Sequence, residues 1–200
     1  VRQMISDSHS AARGVIRLAA QDRAPAVRRA LVNAMKIIPR EEQGLFENML
    51  RDSSYEVVEG TLRALSAQFP DETHRYLKLT ASDNGVGNAI RVLRHEISAG
   101  RGSTASRDSL AVLASPANEF RTRTNAFEAL SRLNHLDAGI VECLYDAMTH
   151  PNGRLRSSAT DIARKYLTQS AHQALFRQVL EAGTWQEWQR RILTDVVDAR

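Results

Sequence analysis

The sequence predicts an all-α chain built from stacked helical pairs, and three observations carry that prediction. Apolar residues recur at the i, i+3, i+4 spacing of one helical face along nearly the whole chain. No stretch shows a convincing two-residue alternation, and β-branched clusters are rare, so strands are not expected. One amphipathic pattern recurs: Asp22 to Met35, Asp52 to Leu65, and degenerate copies around Gly85–Leu93, Thr122–Leu130 and Leu155–Ala163.

The elements follow in order. Residues 1–10 are polar and weakly patterned. Val15, Ile16, Ala19 and Ala20 share one helical face, and 22–25 breaks it. Val27, Ala30, Leu31, Ala34 and Ile38 mark a second helix that Pro39 stops. Leu45, Phe46, Met49 and Leu50 mark a third. Ser53-x-x-Glu56 reads as a capping box, with the serine oxygen on an orphan N–H and the glutamate reaching back. The helix it opens buries Val57, Val58, Thr61, Leu62, Leu65 and Phe69, and Pro70 ends it. A short helix carries Tyr76, Leu77 and Leu79. Asn84-Gly85-Val86-Gly87 is a turn before a helix on Ala89, Ile90, Leu93 and Ile97.

Residues 99–106, AGRGSTAS, read as a loop or hinge, because two glycines and several small polar residues interrupt the pattern. Helices follow on Leu110 and Leu113; on Phe120, Phe127 and Leu130; and on Ile140, Leu144 and Met148. His150-Pro151-Asn152-Gly153 breaks the chain before Leu155, Ala159, Ile162 and Tyr166. Ser170-x-x-Gln173 and Thr184-x-x-Glu187 read as further capping boxes, the second opening a helix that places Trp185 and Trp188 on one face with Ile192 and Val196. About twelve helices of roughly 10–16 residues result, in pairs recurring about every 30–37 residues, a solenoid-like period. Such a pair cannot bury its own apolar face and needs its neighbours.

Composition bounds the function. A hydrophobic share of 42% is ample for a core, and 200 residues suit one domain, 1–200. No apolar run reaches the roughly 20 residues of a membrane span. That fits a soluble chain without a membrane partner, of bacterial cytoplasm or periplasm. The start at Val1 and the end at Asp-Ala-Arg look like cuts, so a fragment of a larger protein is expected. Cys143 is the only cysteine, which excludes an intrachain disulfide and thiolate clusters. The net charge of +4 is nearly all arginine, because Lys36, Lys78 and Lys165 are the only lysines, yet no long like-charge run occurs.

Catalytic signatures are absent. His95-Glu96 begins HEISA, and Ala99 stands where a zinc-peptidase helix needs its second histidine. Gly85-x-Gly87 is too short for a dinucleotide fingerprint and follows no strand. Glu41-Glu42 suit a first helical turn, where they complement the macrodipole. Arg121, Arg123, Arg154 and Arg156 form a candidate basic ridge on successive repeats, and Trp185 and Trp188 are candidate interface anchors.

The openings Asp22…Val27-Arg28-x-Ala30, Thr122-Arg123 and Leu155-Arg156 resemble HEAT repeats, and Asp52 with Val57-Val58 keeps the apolar half. The resemblance implies a HEAT-like α-solenoid of about six antiparallel helix pairs, with Arg28, Arg123 and Arg156 in an Arg–Asp ladder between neighbours. The runs SYEVVEGTLRAL (54–65), ASDNGVGNAIRVLRHEIS (81–98) and SPANEFRTRTNAFEALSRLN (115–134) are similar to the C-terminal HEAT-like region of bacterial M1-family zinc aminopeptidases. That implies a non-catalytic module that shapes active-site access and makes domain contacts. Zinc and its ligands would then sit in an upstream domain of the parent, with no cofactor in this chain. The partner would be a neighbouring domain or another protein. HEAT-like repeats also build small bacterial DNA glycosylases with a basic concave face, which makes nucleic acid the alternative partner. A standalone adaptor is the third reading.

Overall fold

The computed structural model describes residues 12–198. The polar stretch 1–10, with His9, and the last two residues lie outside them. The described chain is helical throughout and contains no strand. Its helices are α1 (12–20), α2 (Pro25–Ala34), α3 (Gln43–Met49), α4 (Tyr55–Gln68), α5 (Thr73–Leu79) and α6 (Ala89–Gly100). Then follow α7 (Thr104–Ala114), α8 (Phe120–Arg132), α9 (Ala138–Met148), α10 (Gly153–Leu167), α11 (Ser170–Ala182) and α12 (Glu187–Asp198). Short 3-10 turns at Arg40–Glu42, Pro70–Glu72 and Val86–Asn88 precede α3, α5 and α6. The chain divides into two compact units, Val1–Gly85 and Val86–Arg200.

In the first unit α4 packs against α2, α3 and α5. Its period is the reason: Val57, Val58, Leu62 and Leu65 are all fully buried, on one side of the helix. Gly60 lets α2 approach, since a Cβ there would lie 3.0 Å from Val32 Cγ1. Phe46 and Tyr76 fill the opposite side of the core, and Gln43 Nε2 donates to Tyr76 Oη at 2.9 Å and to Glu72 at 2.8 Å.

In the second unit the helices pack on the helix after next and, α8 and α9 apart, on their chain neighbours. α6, α8, α10 and α12 thus make one layer, and α7, α9 and α11 another. The core between them runs from Val92 to Val197. Tyrosines tie the helices at depth: Tyr145 Oη on α9 donates to the Phe176 carbonyl on α11 at 2.7 Å, and Tyr166 Oη on α10 to the His135 carbonyl ahead of α9 at 2.9 Å. Burial pushes both phenols up from their ordinary pKa, so they remain protonated donors.

Helix ends depart from the sequence reading at several points. Ser53 is not a cap: α4 starts at Tyr55 after Ser54, and the Asp52 carboxylate takes the Ser54 N–H at 2.8 Å. Ser170 lies inside α11, and the Gln173 amide donates to the Leu167 carbonyl at 2.7 Å instead. The box at Thr184 shifts two residues on, where the Gln186 N–H donates to Gln189 Oε1 at 3.1 Å. Side-chain caps occur at Ser103, Glu119, Asp137 and Asn152, short acceptors in extended backbone. α2 ends at Ala34, not at Pro39, and buried Ile38 beyond it donates its N–H to Gln68 Oε1 at 2.5 Å. The segment 99–106 is mostly helix: only 101–103 separate α6 from α7, and the two helices pack on each other.

Candidate functional site

The six candidate surface residues do not form one patch. Arg123 is inside, only 2% exposed. Its Nε donates to the Ala114 carbonyl at 3.1 Å, and Nη2 to the Cys143 carbonyl at 3.2 Å and to Asp146 Oδ2 at 2.7 Å. A guanidinium bonded through Nε and Nη2, and lying near the Phe127 ring, is a structural cross-link between helices. It offers nothing to a partner.

The tryptophans also separate. Trp185 precedes α12 and packs edge-on against Tyr145, ring centroids 5.4 Å apart. Its indole N–H is buried without an acceptor, against Gly183, where a Cβ would come within 2.4 Å. Trp188 is 50% exposed on α12 and borders a hollow of about 510 Å³ with Asp146, Thr149, His150, Pro151, Arg156 and Gln189. Arg156 is exposed there and donates to the His150 carbonyl at 2.9 Å.

The Arg–Asp expectation divides by position. Arg28 grips Asp52 with two bonds of 2.5 and 2.7 Å and donates to the Asp22 carbonyl at 2.7 Å. Burial pushes the Asp52 carboxyl up, but the bonds from Arg28 and the Ser54 N–H outweigh it, so its pKa lies below the ordinary value. Arg123 with Asp146 is a second such pair. Arg156 has the backbone bond only and forms no ion pair among the described residues.

Arg121 and Arg154 remain, and they do come together. Both line one hollow of about 310 Å³ with Val86, Ala89, Phe120, Thr124 and Asn125. Each is the second residue of its helix, after the Glu119 and Asn152 caps. A cation in a first turn opposes the helix dipole, at about 0.3–1 kcal/mol, so helix stability does not explain this placement. Arg121 lies over the Phe120 ring, 5.5 Å from its centroid. Neither arginine forms a side-chain ion pair among the described residues, although the Glu119 cap carboxylate lies near enough to feel Arg121. Gly87 holds the rim: at φ +60 it passes so close that a Cβ would meet Arg121 Cβ at 2.6 Å, and its carbonyl accepts from Asn125 Nδ2 at 2.8 Å.

A second hollow of about 500 Å³ is lined by Arg154 again, with Glu128, Ser157, Ser158, Asp161 and Ile162. The two helices share one design. Arg121, Thr124, Asn125 and Glu128 lie at i, i+3, i+4 and i+7 of α8, and Arg154, Ser157, Ser158 and Asp161 at the same spacing of α10. Sequence reasoning missed the polar and acidic members. The signal lies in the sequence as R-x-x-T-N-x-x-E and R-x-x-S-S-x-x-D, a polar spacing that any solvated helix face also shows.

Elsewhere the reactive side chains serve structure. Glu96 binds Arg132 through two bonds of 2.7 and 2.9 Å. His95 beside it is lowered in pKa by burial and by Arg94 and Arg91. Burial pushes the Cys143 thiol up, away from a reactive thiolate. Among the described residues no three His, Cys, Asp or Glu side chains gather as a metal site, and no helix is long and apolar enough to cross a membrane. No family model matches the chain, and no curated protein matches it.

Proposed function

We propose that this chain is a non-catalytic interaction module: a HEAT-like α-solenoid of about six helix pairs from an M1-like zinc aminopeptidase, positioned there to shape access to the active site. The observation that carries it is the inter-helix arginine device. Arg28 and Arg123 each sit in the first turn of a helix and each reach a carboxylate 23–24 residues further on, Asp52 and Asp146. Neighbouring helix pairs joined at a regular offset suit a repeat stack, and the layering of α6 to α12 by alternate helices supports it. Zinc would belong to the upstream domain of the parent, and the neighbouring domain or another protein is the partner.

Two measurements test this reading. Purified chain should hydrolyse no aminoacyl substrate; hydrolysis abolished by a chelator overturns the non-catalytic assignment. The coding frame upstream of Val1 should contain His-Glu-x-x-His and a downstream glutamate ligand; a start codon directly before Val1 overturns the peptidase assignment.

The nucleic-acid reading rests on Arg121, Arg154 and Arg156, which are exposed and without side-chain ion pairs among the described residues. Glu128 and Asp161 on the same faces oppose it, since a phosphate backbone favours an unbroken basic track.

A further inference from the structure

We infer that the paired faces of α8 and α10 form a docking groove for an extended peptide bearing an acidic group and, three residues away, a basic side chain. The inference rests on the interaction-module reading and names the chemistry of its ligand.

The groove stands on the repeated arrangement. Its first hollow is bordered by two guanidiniums without side-chain ion pairs among the described residues, with the Phe120 ring and Val86 as an apolar wall. Further along the same helices the second hollow presents Glu128 and Asp161, and Arg154 lies between the two hollows and lines both. Each carboxylate forms a long, exposed ion pair on its own helix, Glu128 with Arg132 at 3.6 Å and Asp161 with Arg164 at 3.7 Å, and such pairs are worth little in water. Between the charged ends lie Thr124, Asn125, Ser157 and Ser158, small groups suited to a peptide backbone.

Length selects the spacing. Seven helical residues advance about 10 Å. An extended peptide rises about 3.3 Å per residue, so three residues cover that distance. A carboxylate held by Arg121 and Arg154 therefore places the third residue on at Glu128 and Asp161. Charge complementarity selects the occupant: a peptide of mixed sign matches both ends, and a polyanion is repelled from the second.

Fluorescence anisotropy on the intact chain tests it. The probes are labelled alanine–serine peptides carrying Glu and Arg three residues apart, in both orders. Controls carry Glu alone, Arg alone, both charges adjacent, or neither. One of the spaced peptides should bind at least about tenfold tighter than the uncharged one. Arg154→Glu should abolish that advantage. Glu128→Gln combined with Asp161→Asn should remove only the contribution of the peptide arginine. All these positions are exposed or half-buried, and an unchanged thermal midpoint verifies the fold of each variant.

Equal binding of spaced and uncharged peptides, or none up to about 1 mM, overturns the proposal. So does duplex DNA that binds tighter than every peptide and is lost in Arg154→Glu, which makes this a nucleic-acid face. A peptide result of that kind leaves the module reading intact; only hydrolysis by the chain removes the latter.

Discussion

At the scale of single residues, arginine does two separate jobs, and burial decides which. Arg123 is enclosed and spans three acceptors on α7 and α9, or at their ends. Its replacement by leucine removes the bonds to the Ala114 and Cys143 carbonyls and leaves the half-exposed Asp146 to water, and should cost about 1–3 kcal/mol in urea unfolding. Arg154→Leu, on the exposed face, should change stability by no more than about 0.5 kcal/mol in the same measurement. Asp52 provides a pH signature. Its folded pKa lies below its unfolded one, so its contribution to stability is complete above the ordinary carboxylate range near pH 4. That contribution is lost as pH falls through the lowered value. The thermal midpoints of wild type and Asp52→Asn should therefore differ at neutral pH and converge in acid.

At the scale of elements, glycine positions test how tightly neighbours meet. A Cβ at Gly183 would overlap the Trp185 indole. Gly183→Ala should displace that ring from Tyr145, destabilise by about 2 kcal/mol and shift tryptophan emission to the red; unchanged emission would refute the packing described. Helix existence was legible in the sequence because period 3.6 is a local property, and α4, α8 and α10 follow it closely. Helix ends were less legible. Ser53 caps nothing: Asp52, held in place by Arg28 from another helix, takes the Ser54 N–H just before α4, and no side chain caps that helix. Trp185 and Trp188 have helical spacing, yet α12 begins only at Glu187. The basic members of the α8–α10 face could be read from the sequence. Their acidic counterparts required knowing that these two helices pack side by side. Arg123 shares its motif with Arg156, and only the third dimension distinguishes the buried one from the exposed one.

At the scale of the whole molecule, the division at Gly85 makes a direct prediction. One buried cluster of the second unit draws on residues from Val92 to Val197. Residues 86–200 expressed alone should therefore give a helical circular-dichroism spectrum and one cooperative melting transition; a spectrum of random coil would show that they depend on the preceding unit. Cys143 supplies an internal check in that fragment. Its thiol is half-buried and raised in pKa, so labelling by a disulfide reagent should be slow when folded and accelerate across the transition.

The paired faces of α8 and α10 hold two cations and two carboxylates, so they add nothing to the net charge of +4. Their field is that of a dipole about 10 Å long with no net charge, which falls off faster than that of a point charge and is screened over about 8 Å at physiological salt. A ligand is therefore not drawn in from afar, and its encounter rate should stay near the unsteered range of about 10⁵–10⁶ M⁻¹s⁻¹, with little dependence on ionic strength. Discrimination between peptides then resides in how long each one stays.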